Sequence, residues 1–199
     1  MSKPRIGEIR LTYAHLDKPW SYSGDEATAK YQTGVLINKQ DGTSLNTIKE
    51  DYDRAVKEGV ERYGTGFKAK ATPLVRQPGT NKGLLIDCDE DERYSNDSAY
   101  QGHYLLNLKA STAPVVMAVE CGKRALTKEE IQDVVYSGCY GYVTFNFYPY
   151  SKGMTGIAAG LANVIKTRDG ESFGGRNSAQ SDFDDLFKSG DSDDLSEFF

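Results

Sequence analysis

Thirteen tyrosines, one tryptophan and a scatter of lysines and arginines are the residues of this 199-residue chain whose chemistry is in question. Between Gly138 and Tyr150 their spacing is that of a strand with two unlike faces. Tyr140, Tyr142, Thr144, Asn146 and Tyr148 fall on one side, and Gly141, Val143, Phe145 and Phe147 on the other. The second set is a core face. The first is too polar for a core and too aromatic for plain solvent. Rings held this way can stack on unpaired nucleobases, each worth about 1–3 kcal/mol whatever the base. Cations beside them would neutralise phosphates and make affinity fall with salt. For any single tyrosine, packing beneath a loop with a wetted hydroxyl is the ordinary explanation; the set, with its cations, points to stacking. The candidate contacts are Arg10, Tyr13, Trp20, Lys30, Tyr31, Lys68, Lys70, Arg76, Tyr100, Tyr104, Tyr140, Tyr142, Tyr148 and Lys152, with Arg5, Tyr22, Lys82 and Lys109 behind them.

A second chemistry lies at the C-terminal end. All thirteen tyrosines precede Asn177, whereas four of the eight phenylalanines (Phe183, Phe187, Phe198, Phe199) follow it. From Asn177 to Phe199 seven acids face one base, Lys188. Of the 29 acids and 24 bases in the chain, 22 and 23 therefore stand before Asn177, a net of +1. The acidity of the whole, −5, is a property of the last 23 residues. Five of the remaining acids sit in Asp87-Cys88-Asp89-Glu90-Asp91-Glu92, which leaves the rest of the body basic and able to hold an anion. Residues 177–199 have too little apolar content between their acids to fold alone. A merely solubilising segment gains nothing from Phe183, Phe187, Phe198 and Phe199. Aromatic anchors among carboxylates such as Asp193 and Asp194 fit a segment that docks on a basic, pocketed partner, or on the body's own basic surface.

Other constellations carry less. Consecutive acids from Asp87 to Glu92 alternate in direction along an extended chain and converge poorly on a Mg²⁺ ion. His103 and the three cysteines (Cys88, Cys121, Cys139) show no Cys-x-x-Cys or His-x₃-His spacing, so no metal is expected. Their odd number and wide spacing suit reduced thiols in a cytoplasm. Gly79-Thr80-Asn81-Lys82-Gly83 lacks the phosphate-loop pattern and reads as a turn. No catalytic constellation, cofactor motif or membrane-length apolar run is present in the sequence.

The elements that must position these residues are mostly short strands. Ile9, Leu11 and Tyr13 alternate with Glu8, Arg10 and Thr12, and Tyr31 to Ile37 is a second strand with Gly34 as a bulge or close approach. Residues 15–29 read as a long loop. Leu45, Ile48, Tyr52, Val56, Val60 and Tyr63 recur every three or four residues, an amphipathic helix over 44–63 with Thr43 as N-cap and Gly64 as stop. Residues 67–97 are mostly loop; 103–109 and 115–119 are strands. Thr127 with Glu130 makes a capping-box pattern before a short helix. The strand over 138–150 turns into another over 155–165. This is a mainly β fold with one or two helices, a small OB-like barrel with insertions and a disordered acidic C-terminal tail. The division expected is a domain over 1–176 and a tail over 177–199.

Tyr136-Ser137-Gly138-Cys139-Tyr140-Gly141, Asn146-Phe147-Tyr148, Gly156-Ile157-Ala158-Ala159-Gly160-Leu161 and Gly174-Gly175-Arg176, in that order, resemble a phage family first catalogued as a domain of unknown function. Tyr100-Gln101-Gly102-His103-Tyr104 and Lys30-Tyr31 followed by Leu36-Ile37-Asn38-Lys39 match it too, so the resemblance runs from about Arg5 to Asp184. It implies an OB-fold protein that binds single-stranded DNA during phage replication and recombination in the host cytoplasm, without enzymatic activity. The end, Asp193-Asp194-Leu195-Ser196-Glu197-Phe198-Phe199, is similar to the acidic tips of bacterial and T7-type single-stranded-DNA-binding proteins, though without the bacterial Ile-Pro-Phe. That likeness implies replication or recombination proteins as partners of the tail; homo-oligomerisation stays open. Two rivals keep other features: an acidic interaction factor acting on a host DNA-binding enzyme, and a nuclease using Asp87 to Glu92.

Overall fold

The computed structural model describes residues 3–77 and 79–173. Its elements are β1 (Arg5–Trp20), β2 (Lys30–Asn38), α1 (Gly42–Tyr63), α2 (Phe67–Lys70), β3 (Leu85–Asp87), β4 (His103–Ala110), β5 (Val115–Ala118), α3 (Lys128–Val134), β6 (Tyr140–Tyr150) and β7 (Gly156–Arg168). Antiparallel pairing links β4, β2, β1, β6 and β7 in that order, and β7 returns to β4 through a parallel contact of Lys109 with Gly160. Five strands therefore close on themselves, with β3 added to β4 and β5 to β7 at the rims. Taken in chain order the ring runs first, second, third, fifth, fourth and back to first, an OB-like Greek-key barrel. The expected class, a mainly β OB-like barrel, holds for the described residues, with three helices where one or two were expected.

Alternation builds the barrel interior. Val35 and Ile37 of β2, Leu106 and Leu108 of β4, Val143, Phe145 and Phe147 of β6 and Ile157 and Leu161 of β7 are all buried in one core. Each buried side chain of this kind contributes about 1.5–3 kcal/mol. The opposite faces of β2 and β4 are covered over half their length only. Leu36 and Leu105 point outward beneath a second cluster of Ile86, Cys88, Tyr94, Tyr100 and Phe173. Farther along the same faces, Lys30, Gln32, Asn107 and Lys109 are not covered.

Several boundaries differ from the sequence reading. The first strand does not stop at Tyr13 but continues to Trp20, through the segment read as loop. Register shifts after Thr12 and after His15 break its alternation, and pairing resumes where Trp20 meets Lys30. A bulged strand loses the period by which a strand is read. The long helix starts at Gly42, capped by Asp41 rather than Thr43: the Asp41 carboxylate accepts the Ser44 amide at 3.0 Å. Gly64 ends it with φ +85°, a conformation that only glycine adopts easily. This helix is an insertion between the second and third barrel strands. The Thr127–Glu130 capping box forms as expected, and Ile131 of α3 enters the core.

Candidate nucleic-acid interface

Lys30 and Lys109 sit on adjacent strands, β2 and β4, because Tyr31 pairs with Ala110 and Gln32 with Lys109. Lys109 in turn meets Gly160 of β7, and Gly160 meets Asn146 of β6. This chain of neighbours lays a groove around the outside of the barrel. One part, a trough of about 600 Å³, is lined by Lys3, Lys30, Asn107, Lys109, residues 110–113, Asn146, Tyr148 and residues 158–163. The next, of about 300 Å³, adjoins it through Lys30 and Lys109 and is walled by Trp20, Tyr22 and Gln32. The residues lining both include three lysines and no carboxylate. Lys30 donates to the Ser111 hydroxyl; Lys3 and Lys109 have no ion pair among the described residues. An unneutralised cationic track beside a backbone fits a polyanion.

Its aromatic walls face outward. Tyr22 is 95% exposed at the loop between β1 and β2, edge-on to Trp20 at 6.3 Å. His15 stacks flat on Trp20 at 4.7 Å and fixes its plane, and burial holds the His15 imidazole below its ordinary pKa. Tyr148 is 44% exposed and leans over β7, so near that a Cβ built on Gly160 would lie 3.2 Å from its ring. Ala158, Gly160 and Ala162 leave the floor low enough for a base or sugar to approach the main chain. Gln32, Asn107 and Asn146 offer amide donors and acceptors along it.

The candidate contacts read from sequence divide into groups. Trp20, Lys30 and Tyr148 line the groove. Lys152, in the loop joining β6 to β7, and Lys68 and Lys70, on α2, are exposed but do not line it. Tyr140 and Tyr142 extend outward on β6 as expected, half-exposed and beside cations, but beyond the groove. Arg5 lies 5.4 Å from the Tyr142 centroid and Arg168 3.5 Å from that of Tyr140, so guanidinium groups already occupy ring faces there.

The remaining candidates do not line the groove and make contacts elsewhere in the fold. Tyr100 is 5% exposed, shares a hydrogen bond of 2.8 Å with the buried Thr12 hydroxyl, and stacks between Tyr94 and Phe173. Burial raises its phenol pKa, and that of Tyr94 is pushed up to about 12 for the same reason. Tyr13 stands over this cluster at φ +49°. Arg10 donates to the carbonyls of Gly138 and Glu171 and lies 4.1 Å from the Phe173 centroid, clamping the chain after β7 onto the barrel. Arg76 is bound to Asp91 at 2.9 Å and Asn81 at 2.6 Å. Tyr104 packs beside the core under Lys39. Tyr31 has the parity of core-facing Val35 and Ile37, opposite to Lys30. These placements follow from bulges and from the covering segment 86–100, neither visible as a sequence period. Lys3, Gln32 and Asn107 are not among the candidates because isolated polar residues carry no pattern, whereas the alternation of β6 already sets Asn146 on the face of Tyr148. Phe183, Phe187, Asp193, Asp194, Phe198 and Phe199, and the boundary at 176, lie outside the described residues.

The acidic run does not gather around a cation site. Asp87 and Asp89 both hold Lys39, and Asp91 takes Arg76 and Arg93. Among the described residues no group of three or more His, Cys, Asp or Glu is placed to bind a metal ion. No helix among them is long and apolar enough to cross a membrane.

Comparison with known proteins extends the match beyond geometry. A family model described as the single-stranded-DNA-binding protein of Enterobacter phage Enc34 matches residues 3–196. The putative protein p50 of Acyrthosiphon pisum secondary endosymbiont phage 1 is 29% identical over 186 residues, covering 92% of this chain and 94% of its own. The solved single-stranded DNA-binding protein from bacteriophage Enc34, in complex with single-stranded DNA, is similar at a TM-score of 0.66 and 24% identity, over 85% of this chain and 88% of that one. The gp2.5 single-stranded DNA binding protein encoded by bacteriophage T7 reaches 0.50 at 15% identity, over 92% of both chains. At these identities the structural likenesses establish the shared fold.

Proposed function

Since this chain belongs to the family of the single-stranded-DNA-binding protein of Enterobacter phage Enc34, we propose that it binds single-stranded DNA along the groove that crosses β2, β4, β7 and β6. The observation that carries this reading is the absence of any carboxylate among the lining residues, beside three lysines and the exposed rings of Trp20, Tyr22 and Tyr148. The lysines neutralise phosphates without regard to sequence. The rings stack on bases of any identity. From Trp20 on β1 to Tyr148 on β6 the track crosses five adjacent strands about 4.8 Å apart. That is room for a handful of nucleotides, near the low end of the roughly 4–16 held by one OB fold.

The protein acts by coating and protecting unpaired strands during phage DNA replication and recombination in the host cytoplasm, with no reaction of its own. Residues 177–199 recruit replication proteins through Phe183, Phe187, Phe198 and Phe199 and compete for the lysine groove through their carboxylates. The likeness of the tail to acidic tips elsewhere supports this part.

Titration of labelled oligo-dT with the full chain at several salt concentrations tests the groove. Lys30→Gln and Lys109→Gln should each weaken binding several-fold and flatten the slope of log K against log salt by about 0.7, one phosphate contact each. Native affinity and slope in both variants would place the DNA elsewhere. An unaltered chain showing no salt-sensitive binding would end the reading.

A further inference from the structure

β6 continues past the point where β1 begins. The last contact between them is Thr144 with Arg5, followed by the Phe145 amide donating to the Pro4 carbonyl at 3.1 Å. Beyond that point the edge of β6 away from β7 has no strand beside it among the described residues, and Phe147 turns its amide and carbonyl toward that edge. Two side chains of the inserted helix α1 take the missing strand's place. The Asp51 carboxylate accepts the Phe147 amide at 2.6 Å, and the Arg54 guanidinium donates to the Phe147 carbonyl at 2.8 Å. Arg54 also holds Asp51 through Nε at 2.8 Å, so the two act as one fork. Asp51 is 7% exposed, so both main-chain groups of Phe147 and the acid itself are satisfied away from water.

The same helix reaches the neighbouring strand. Tyr52 packs edge-on to Phe147 and donates to the Thr72 carbonyl at 2.8 Å; the Thr72 hydroxyl accepts the Ile157 amide of β7 at 3.0 Å. Helix α1 therefore grips both strands of the β6–β7 hairpin just where they present Asn146, Tyr148, Ala158 and Gly160 to the groove. None of Asp51, Tyr52 or Arg54 lines the groove itself.

We propose that α1 is a brace that sets the position of this groove wall, with Asp51 and Arg54 as positioning residues acting through Phe147 on Tyr148. The proposal rests on the groove reading above and goes further by assigning the inserted helix a part in DNA binding. The barrel closes through β4 and β7 without this helix; the helix serves the stretch of β6 that β1, beginning only at Arg5, does not reach.

Arg54→Lys is the decisive variant, because it keeps the charge and loses the planar fork. In the full chain, folded by circular dichroism at the assay temperature, it should bind oligo-dT about fivefold more weakly with an unchanged salt slope. A residue that touched a phosphate would instead keep its affinity as lysine, and one that served stability alone would lower the melting temperature and leave affinity native; either result overturns the brace. Tyr148→Ala should weaken binding about tenfold, and adding Arg54→Lys to it should cost little more, since both act on one contact. Full additivity would also overturn it. Asp51→Asn, which can still accept the Phe147 amide, should fall between native and Arg54→Lys. If Tyr148→Ala binds as the native chain does, the groove reading fails; if it weakens and Arg54→Lys does not, only the brace fails.

Discussion

Asp91 shows how a single carboxylate can organise a loop that sequence alone presents as a bare run of charge. It receives Arg93 at 2.7 Å and Arg76 at 2.9 Å, and the hydrogen bonds from Arg93, before all other effects, hold its pKa down to about 2 from an ordinary 3.8. A carboxyl with a depressed folded-state pKa contributes stability that is complete above the unfolded value and is lost as pH falls through the folded one. The window here runs from about pH 4 down to about 2. Acid unfolding followed by tyrosine fluorescence should show Asp91→Asn less stable than the native chain at pH 6, by about 1 kcal/mol after solvent screening, with the gap closing toward pH 2. A gap that persisted at pH 2 would mean that the loss is one of packing. Identity, charge and alternation of single residues were legible beforehand: the two faces of β6 are as the period required. Partnership was not. Arg76 and Arg10 looked like free cations because nothing in a linear pattern says which acid or carbonyl will fold against them.

Elements were legible where local chemistry alone decides them. The box of Thr127 and Glu130 forms as expected, with Glu130 accepting the Thr127 amide at 2.9 Å and Thr127 accepting the Glu130 amide at 3.3 Å. Thr127→Ala should lower the stability of the body by about 1 kcal/mol, measured by urea unfolding, and leave oligo-dT affinity unchanged, since α3 does not line the groove. A change in affinity would tie α3 to the interface. Helix α1 was also visible through its period, because its buried stripe must recur every three or four residues. The extension of β1 was hidden, since bulges at Thr12 and His15 shift side chains between faces and dissolve the period. With it went the placement of Trp20, which the bulged strand carries to the mouth of the groove.

At the scale of the whole molecule the charge is divided: a basic groove on the body, seven acids and one base after residue 176. Deleting residues 177–199 should tighten oligo-dT binding several-fold at low salt, with the difference shrinking as salt rises, because exposed charges are screened within about 8 Å at physiological ionic strength. The shortened chain should also lose capture of replication proteins by the full one; equal affinity at all salt concentrations would remove the competition from the account. The sequence by itself determined the barrel class, the long helix, the two-faced strand and the acidic end, since each rests on composition or on a period imposed by backbone geometry. Only the tertiary structure decided which cations stay unpaired among the described residues, which rings are left open and that a lysine-lined groove lies where β4 meets β7. Those outcomes depend on which distant segments meet, and strand pairing across a closed barrel joins residues such as Lys30, Lys109 and Asn146 that no spacing along the chain connects.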